Sequence, residues 1–152
     1  MPTPPALAPP KSFRLKLSNV LTRLHVACYR ATGGRVGGRM FGMAVLLLDH
    51  VGRKTGRKRT TPLLYLCHGN DLVVVASRGG SDFTPAWWIN LKARPQATVT
   101  VGRRRRSVVA RETTPDERAE LWPRLVAAHH DYALYETRTT RPLPVILFQP
   151  DG

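Results

Sequence analysis

One stretch of the sequence organises the rest: it reads GRKTGRKRTTPL and runs from Gly52 to Leu63. Five of the seven residues at 53–59 are cationic, and an apolar run lies on each side of the stretch. The pattern predicts a charged hairpin tip between two buried strands, because glycine tolerates the backbone angles that tight turns require. Such a turn exposes backbone N–H groups beside its side chains, so it can surround an anion. The alternative is a solvated, solubilising loop.

The composition indicates one basic domain. The chain has 152 residues, which is enough for a single domain with a substantial core. It carries 24 Lys and Arg against 10 Asp and Glu, a formal net charge of +14. This excess predicts a polyanionic partner, which could be nucleic acid, an anionic membrane surface or a multiply charged small molecule. Asp49 is the first acidic residue, so the amino-terminal third is purely basic.

The cysteines and the lengths of the apolar runs indicate the cellular compartment of the chain. Cys28 and Cys67 lack CxxC spacing and a nearby ligand set, so we expect two reduced thiols. Residues 1–10 are proline-rich and do not have the order of a signal peptide. No apolar run approaches the ~20 residues that span a bilayer. We therefore expect a soluble, cytoplasmic chain.

The pattern of residues divides the chain into three parts. Residues 1–10 predict an extended or disordered tail, and residues 11–38 predict a basic amphipathic helix with a glycine-rich joint. Residues 39–152 are expected to form the main domain. The helix can pack on that domain, or residues 11–30 can lie on an anionic membrane surface. Its apolar stripe consists of Phe13, Leu17, Val20, Leu21, Leu24 and Cys28.

Segments rich in Val, Leu, Ile or Thr, with turn residues between them, predict a β-rich domain. We expect a short helix at 85–92 and a second at 115–129, where Thr114, Pro115 and Glu117 form a capping box. Strands that return through short turns, with two helices inserted, favour a mainly β fold over a doubly wound sheet. The expected architecture is an antiparallel or mixed barrel. Its strands are predicted at about 43–50, 59–67, 71–77, 97–101, 106–112 and 144–149.

Three motifs together resemble the deazaflavin-dependent nitroreductase family of actinobacteria. They are GRKTG at 52–56 with Arg59 and Pro62-Leu63, ASRGG at 76–80, and PAWWINL at 85–91. The resemblance runs from about Val45 to Gln149. It implies a split β-barrel, flavin-reductase-like, that binds coenzyme F420 and passes a hydride from the reduced coenzyme to a quinone or a nitroaromatic acceptor. It also implies that the amino-terminal helix associates with the membrane.

The resemblance also implies which residues bind the coenzyme. F420 carries a phosphate, a lactyl carboxylate and an oligoglutamate tail, so the cations of the 52–59 stretch are expected to clamp anionic groups. Trp87 is expected near the deazaflavin ring, although it could equally be a hydrophobic anchor. The full expected set is Arg53, Lys54, Thr55, Arg59, Thr60, Thr61, Pro62, Leu63, Ala76, Ser77, Arg78, Trp87 and Asn90.

The remaining expectations concern the acceptor. Hydride transfer needs no nucleophile and no metal from the protein, because the cofactor carries that chemistry. Ser77, Tyr132, Tyr135 or water could deliver the proton. His129, Tyr132 and Tyr135 are expected to bind the substrate from a loop or short helix, and His129 stands where the resembled family has a tyrosine. In the alternative, both tyrosines pack against the barrel.

Two other classes of function compete with a reductase. One is a non-catalytic or FMN-using split barrel, and the other is a nucleic-acid-binding domain. RRRR at 103–106 is the best argument for the latter. These arginines alternate faces in a hairpin and lack stacking aromatics, so we expect no nucleic acid and a solvated hairpin edge. The oligomeric state and the physiological acceptor stay open. The expected location is cytoplasmic, with contact to the inner face of the cell membrane through the first helix.

Overall fold

The chain folds as a β-barrel with helices packed around it. The computed structural model describes residues 11–80 and 82–151, so the predicted tail at 1–10 lies outside the described residues. The strands are β1 (Arg39–Met40), β2 (Met43–Val51), β3 (Lys58–His68), β4 (Asp71–Val75), β5 (Gln96–Val101), β6 (Arg104–Glu112) and β7 (Val145–Pro150). The helices are α1 (Lys11–Thr32), α2 (Ala86–Ala93), α3 (Pro115–Ala128) and α4 (Asp131–Arg138).

Six of the strands close into an antiparallel barrel. The order along the sheet is β1-β2-β3-β4-β7-β6-β5, and β2 also pairs with β5. This last pairing leaves β2 to β7 without a free edge, which is how a barrel avoids exposing unpaired backbone groups. The predicted mainly β barrel is therefore confirmed.

The apolar run of β2 is long because both of its faces are buried. Leu46 and Leu48 belong to the cluster that fills the barrel, together with Phe148 of β7. Val45 and Leu47 point to the other side, where they contact residues of α1. This inside–outside alternation is the period-2 geometry of a strand.

Helix α1 packs on the barrel through a face that the apolar stripe did not predict. Tyr29 is buried, and its hydroxyl donates to the carbonyl of Val45 at 3.0 Å and accepts from the backbone N–H of Gly102 at 2.8 Å. Val26 is buried beside it, whereas Val20, Leu21 and Leu24 are 57–60% exposed. Of the predicted stripe, Val20, Leu21 and Leu24 therefore face solvent and Cys28 is half-buried, because the hydrogen bonds of Tyr29 select the face that turns inward.

The other helices cover one end and one side of the barrel. Trp87, Trp88 and Leu91 of α2 join the interior cluster. Leu121 and Leu125 of α3 join an outer cluster on β4 and β7. The predicted capping box at Thr114 and Glu117 is present and starts α3.

A third inserted helix, α4, occupies the stretch for which the sequence left a loop or a short helix open. It lies against a 3-10 turn at Arg78–Gly80 that follows β4. Gly80 has φ +79°, and a Cβ there would lie 2.9 Å from the Cα of Tyr135. Glycine is required at this point, because α4 approaches the turn too closely for a side chain.

The turn between β1 and β2 was not anticipated. Its central residues, Phe41 and Gly42, have φ of +52° and +78°. Positive φ at both positions is typical of the tight turns that fit hairpin twist, but such turns favour Asn, Asp or Gly at the first position. Phe41 is therefore held in a backbone conformation that a phenylalanine rarely adopts.

Candidate active site

A cleft of about 580 Å³ opens at one side of the barrel. Its volume is within the range of small-molecule and cofactor sites. It lies between β3, the segment after β4, the start of α2, and the α3–α4 region. It is lined by Phe41, His50, Arg53, Arg59, Thr61, Pro62, Leu63, Leu64, Val75, Ser77, Arg78, Thr84, Pro85, Ala86, Trp87, Ile89, His129, Tyr132 and Tyr135.

The cationic stretch forms the predicted turn between β2 and β3. The backbone N–H of Gly52 donates to the carbonyl of Arg57 at 2.9 Å, and the N–H of Gly56 donates to the carbonyl of Gly52 at 2.8 Å. Arg53 of this turn and Arg59 at the start of β3 both line the cleft. Two arginines at the rim of a cleft provide planar donor groups that suit phosphate and carboxylate oxygens.

Behind the turn lies a buried polar group that ties it to the barrel. Asn90 of α2 is 4% exposed, and its Oδ1 accepts from the backbone N–H of Arg53 at 3.1 Å. Its Nδ2 lies 3.2 Å from Nδ1 of His50, and Nε2 of His50 lies 3.0 Å from Oγ1 of Thr61. This group places Asn90 behind the cleft wall and Thr61 on it.

His50 sits at the inner rim of the barrel and is 3% exposed. Burial, with a smaller contribution from the nearby Arg59 charge, lowers the pKa of His50 to about 4, and Asp49 partly opposes this. The imidazole is therefore neutral at neutral pH, because desolvation disfavours its charged form.

The segment after β4 is held from behind by Arg141. Its guanidinium donates to the carbonyl of Ala76 at 3.1 Å and to the carbonyl of Ser77 at 2.8 Å. Burial lowers the pKa of Arg141. Ser77 and Arg78 then line the cleft, and Arg78 has φ +44°. Arg141 is thus a support residue that no sequence motif indicated.

The opposite wall is aromatic. The ring of His129 lies 4.8 Å from Tyr132, 5.9 Å from Tyr135 and 5.4 Å from Phe41, measured between centroids. The first two pairs are edge-to-face, which is a favourable arrangement for aromatic rings. His129 and Tyr132 are buried, whereas Phe41 is 68% exposed. Burial raises the pKa of Tyr132, with a smaller contribution from Tyr135, so its phenol stays protonated.

Trp87 belongs both to the cleft and to the core. Its indole lines the cleft and packs 6.3 Å from Phe148 in an edge-to-face contact inside the barrel. Trp88 turns away from the cleft, and its Nε1 is buried without a hydrogen-bond partner in the part of the chain that the structure describes. The two readings of Trp87, as a cofactor contact and as an anchor, are therefore compatible.

The structure brings most of the expected site residues together. The cleft is lined by Arg53, Arg59, Thr61, Pro62, Leu63, Ser77, Arg78, Trp87, His129, Tyr132 and Tyr135. Five expected coenzyme-binding residues do not line it. Lys54 and Thr55 are exposed on the turn, Ala76 and Asn90 are buried behind the wall, and Thr60 bonds Asp49 on the other face of β3.

Several lining residues were missed by the sequence analysis. They are Phe41, His50, Leu64, Val75, Thr84, Pro85, Ala86 and Ile89. For His50 a signal existed, since it continues the inward-facing series of Leu46 and Leu48 at a spacing of two. For Phe41 no comparable signal exists, because its position depends on an unfavourable turn.

Residues 11–80 and 82–151 contain no group of three or more His, Cys, Asp or Glu side chains that could hold a metal ion. No helix within the same ranges is long and apolar enough to cross a membrane.

Comparisons with known proteins give consistent results. A family model described as F420H(2)-dependent quinone reductase matches residues 21–150. The chain is 41% identical over 131 residues to the F420H(2)-dependent quinone reductase Rv1261c of Mycobacterium tuberculosis, which covers 84% of this chain and 88% of that relative. A solved F420-H2 dependent reductase, FDR-A, matches with a TM-score of 0.64 and 35% identity over 69% of this chain and 93% of that one. A structure described as a domain-swapped dimer matches with a TM-score of 0.66 and 29% identity over 93% of this chain and 100% of that one.

Proposed function

This chain belongs to the F420H(2)-dependent quinone reductase family. On that premise we propose which part of its cleft binds the coenzyme and which part binds the acceptor. It is an oxidoreductase that uses reduced coenzyme F420. The coenzyme binds along the polar wall, formed by Arg53, Arg59 and Thr61, and the quinone binds against the aromatic wall, formed by Phe41, His129, Tyr132 and Tyr135. This division is supported by one observation: the residues of both walls line the same cleft.

The polar wall fits the chemistry of the coenzyme. Arg53 and Arg59 stand at the rim with their guanidinium groups uncommitted to any salt bridge within the described residues. The phosphate and carboxylates of F420 can take the paired hydrogen bonds that an arginine offers. Pro62, Leu63 and Trp87 add apolar surface beside them, which suits a flat ring.

Reduced F420, when bound, supplies the hydride that the acceptor receives. The residues of this chain hold and shield the reactants. The arginines balance the negative charge of the coenzyme, and Trp87 and Leu63 exclude water from the cleft floor. The rings of Tyr132 and Tyr135 give a planar acceptor a flat surface, which favours one orientation of approach.

Tyr132 fits the role of a hydrogen-bond donor to the acceptor better than that of a proton source. Its raised pKa means that a tyrosinate would be costly among buried rings. The neutral phenol can still donate to a quinone oxygen on which charge develops. Tyr135 and Ser77 are more exposed to solvent, and with water they are the candidates for delivering the proton.

Helix α1 is proposed to contact an anionic membrane surface. Its exposed Val20, Leu21 and Leu24 form an apolar face, and Arg23 lies on the same basic helix, whereas Arg30 is paired with Asp49 of the barrel. Such a helix can lie at a lipid interface while Tyr29 keeps it attached to the barrel. Leu21→Glu with Leu24→Glu should abolish sedimentation with anionic vesicles, and raised salt should weaken the sedimentation of the unaltered chain. Equal sedimentation of both proteins would contradict this role.

The arginines at 103–106 do not require a nucleic-acid partner. Arg105 lies 3.6 Å from the carboxylate of Asp49, and Arg106 donates to the carbonyl of Asn70 at 2.8 Å. Two of the four arginines therefore already have partners within the protein. The hairpin is adequately explained as a charged edge.

Two measurements test the proposed function. Reduced F420 mixed anaerobically with the pure chain and a menaquinone analogue should be oxidised at a rate proportional to enzyme concentration. Titration of the chain with F420 and separately with FMN, followed by ligand fluorescence, should give tighter binding of F420. Tight binding of FMN without binding of F420 would support the FMN-using alternative. A nitroaromatic compound in place of the quinone tests the second class of acceptor.

A further inference from the structure

The hydrogen bonds behind the polar wall run in one direction. The series begins at the backbone N–H of Arg53, passes through Asn90 and His50, and ends at the hydroxyl of Thr61 in the cleft. Its three links measure 3.1, 3.2 and 3.0 Å. Each link constrains the next, so the orientation of every group can be deduced from the first.

The first link fixes the amide of Asn90. A backbone N–H can only donate, so the atom of Asn90 that faces Arg53 is the oxygen. The guanidinium of Arg53 also approaches this oxygen at 3.4 Å. The amide nitrogen of Asn90 therefore faces His50, where it can only donate. A flipped amide would set the backbone N–H and the guanidinium of Arg53 against an NH₂ group, so both donors would lose their acceptor.

The second link fixes the tautomer of His50. Because Nδ1 accepts from Asn90, it carries no proton, and a neutral ring has its proton on Nε2. Burial lowers the pKa of His50 and so keeps the ring neutral. The charge of Arg59 on β3 lowers this pKa further, and the charge of Asp49 on β2 raises it. Nε2–H then donates to Oγ1 of Thr61.

The third link leaves the proton of Thr61 free for the cleft. A hydroxyl has one proton to donate and two lone pairs. The oxygen accepts from His50, and this is the one hydrogen bond that the Thr61 side chain makes within residues 11–80 and 82–151. Thr61 lines the cleft, so its O–H can point to a ligand there.

We infer that His50 and Asn90 are positioning residues that fix Thr61 as a hydrogen-bond donor to an acceptor atom of the bound coenzyme. The inference rests on the proposed function for the identity of the ligand. Because the series of hydrogen bonds begins at the backbone of Arg53, a change in the conformation of the cationic turn should also change the orientation of Thr61. Asn90 thus influences the coenzyme from behind the wall without lining the cleft.

The first test needs no ligand and no activity. ¹⁵N NMR of the full chain should show His50 as the neutral tautomer with Nε2 protonated and Nδ1 unprotonated from pH 8 down to about pH 5. The Nδ1-protonated tautomer, or a ring that titrates near the ordinary histidine pKa of about 6.5, would overturn the inference.

The second test measures F420 affinity in variants. Thr61→Val should weaken binding by about 3- to 10-fold, as expected for loss of one hydrogen bond, and Thr61→Ser should retain it. Thr98→Val is the matched control, since Thr98 is a half-buried strand threonine outside the cleft. Binding by Thr61→Val that equals that of the unaltered chain would contradict the inference.

The third test separates positioning from mere structural support. His50→Gln keeps an acceptor for Asn90 and a donor for Thr61, so it should bind F420 within about 2-fold of the unaltered chain, whereas His50→Leu should weaken binding about as much as Thr61→Val. In a Thr61→Val background, His50→Leu should add little further loss. Fully additive losses in the double variant would show that His50 does not act through Thr61.

The outcomes also separate this inference from the proposed function. If the unaltered chain fails to bind F420 while its His50 shows the expected tautomer, the proposed function fails and the series of hydrogen bonds stands. If the unaltered chain binds F420 and Thr61→Val binds it equally well, the inference fails and the proposed function stands.

Discussion

The two walls of the cleft are built by different means. The polar wall stands on β3 and the turn before it, and hydrogen bonds to Asn90 and His50 hold the backbone N–H of Arg53 and the side chain of Thr61. The aromatic wall stands on α4, the end of α3 and the turn at Phe41, and ring contacts hold it together. Hydrogen bonds specify orientation, whereas ring packing tolerates changes of shape more readily. Under the proposed division of the cleft, the polar wall would therefore select one coenzyme, and the aromatic wall would accept variation in the acceptor.

The largest expected effect is on the stability of the aromatic wall. Tyr132 is 3% exposed within the outer cluster, so Tyr132→Ala should lower the free energy of unfolding by about 3–5 kcal/mol. Chemical denaturation measures this change. Tyr132→Phe, which keeps the ring, is the control and should stay within about 1 kcal/mol. A fully stable Tyr132→Ala variant would mean that the ring is not part of the packed wall.

The next effect concerns the polar wall and pH. His50 has a pKa of about 4 in the folded chain against about 6.5 when unfolded, so below pH 6.5 the unfolded state binds more protons. Stability should therefore fall as the pH decreases from about 6.5 to about 4, by on the order of 3 kcal/mol in total from this group. Thermal unfolding across this range measures the fall. His50→Gln should show a correspondingly smaller fall, and identical profiles would exclude His50 as its source.

The cationic turn should show a graded response. Arg53→Ala should weaken F420 binding by about 1–3 kcal/mol, because a charged hydrogen-bond partner is lost at the rim. Lys54 is exposed and does not line the cleft, so Lys54→Ala should have a smaller effect. Fluorescence titration of both variants gives the comparison. Equal affinity of Arg53→Ala and the unaltered chain would return the turn to the solvated-loop interpretation.

Acceptor choice should respond to the centre of the aromatic wall. His129 contacts Phe41, Tyr132 and Tyr135, and His129→Tyr places a larger ring among them. This variant should shift the ratio of kcat/KM values toward nitroaromatic acceptors by about 10-fold, with F420 affinity unchanged. Steady-state kinetics with one quinone and one nitroaromatic compound measure the shift. An unchanged ratio would place acceptor choice elsewhere.

The smallest expected effect is a gain in stability. Asn tolerates the positive φ that Phe41 adopts, so Phe41→Asn should raise the free energy of unfolding by about 1 kcal/mol. The same variant should raise KM for the quinone, because an exposed ring leaves the cleft mouth. Met40→Ala is the control, since Met40 is an exposed apolar neighbour that does not line the cleft. A gain in stability with no change in KM would mean that the Phe41 ring does not contact the acceptor.

The two walls also differ in how far the sequence predicts them. The polar wall follows from local signals: the glycines and cations of the turn and the first residues of β3 place Arg53, Arg59 and Thr61 within a few residues of one another. The buried residues behind this wall do not follow from local signals. His50 and Asn90 meet only because α2 folds against the end of β2, which is a contact across 40 positions of sequence.

The aromatic wall and α1 were predicted less completely for a similar reason. Phe41 is placed by a turn whose backbone angles disfavour phenylalanine, so propensity points away from it. The apolar stripe of α1 leaves packing on the barrel and contact with a membrane both open, and Tyr29 selects the packed face through its hydrogen bonds to Val45 and Gly102. At α1, long-range hydrogen bonds of Tyr29 therefore override the local periodicity.

The division of the cleft is tested most directly by the F420 dissociation constant of two variants, one from each wall. Arg59→Ala removes a rim cation of the polar wall, and Tyr135→Ala removes a half-buried ring of the aromatic wall. We predict that Arg59→Ala weakens F420 binding by about 10-fold or more, whereas Tyr135→Ala leaves it within about 2-fold and lowers quinone turnover instead. Weaker F420 binding in Tyr135→Ala, together with unchanged binding in Arg59→Ala, would contradict the division of the cleft into a coenzyme wall and an acceptor wall.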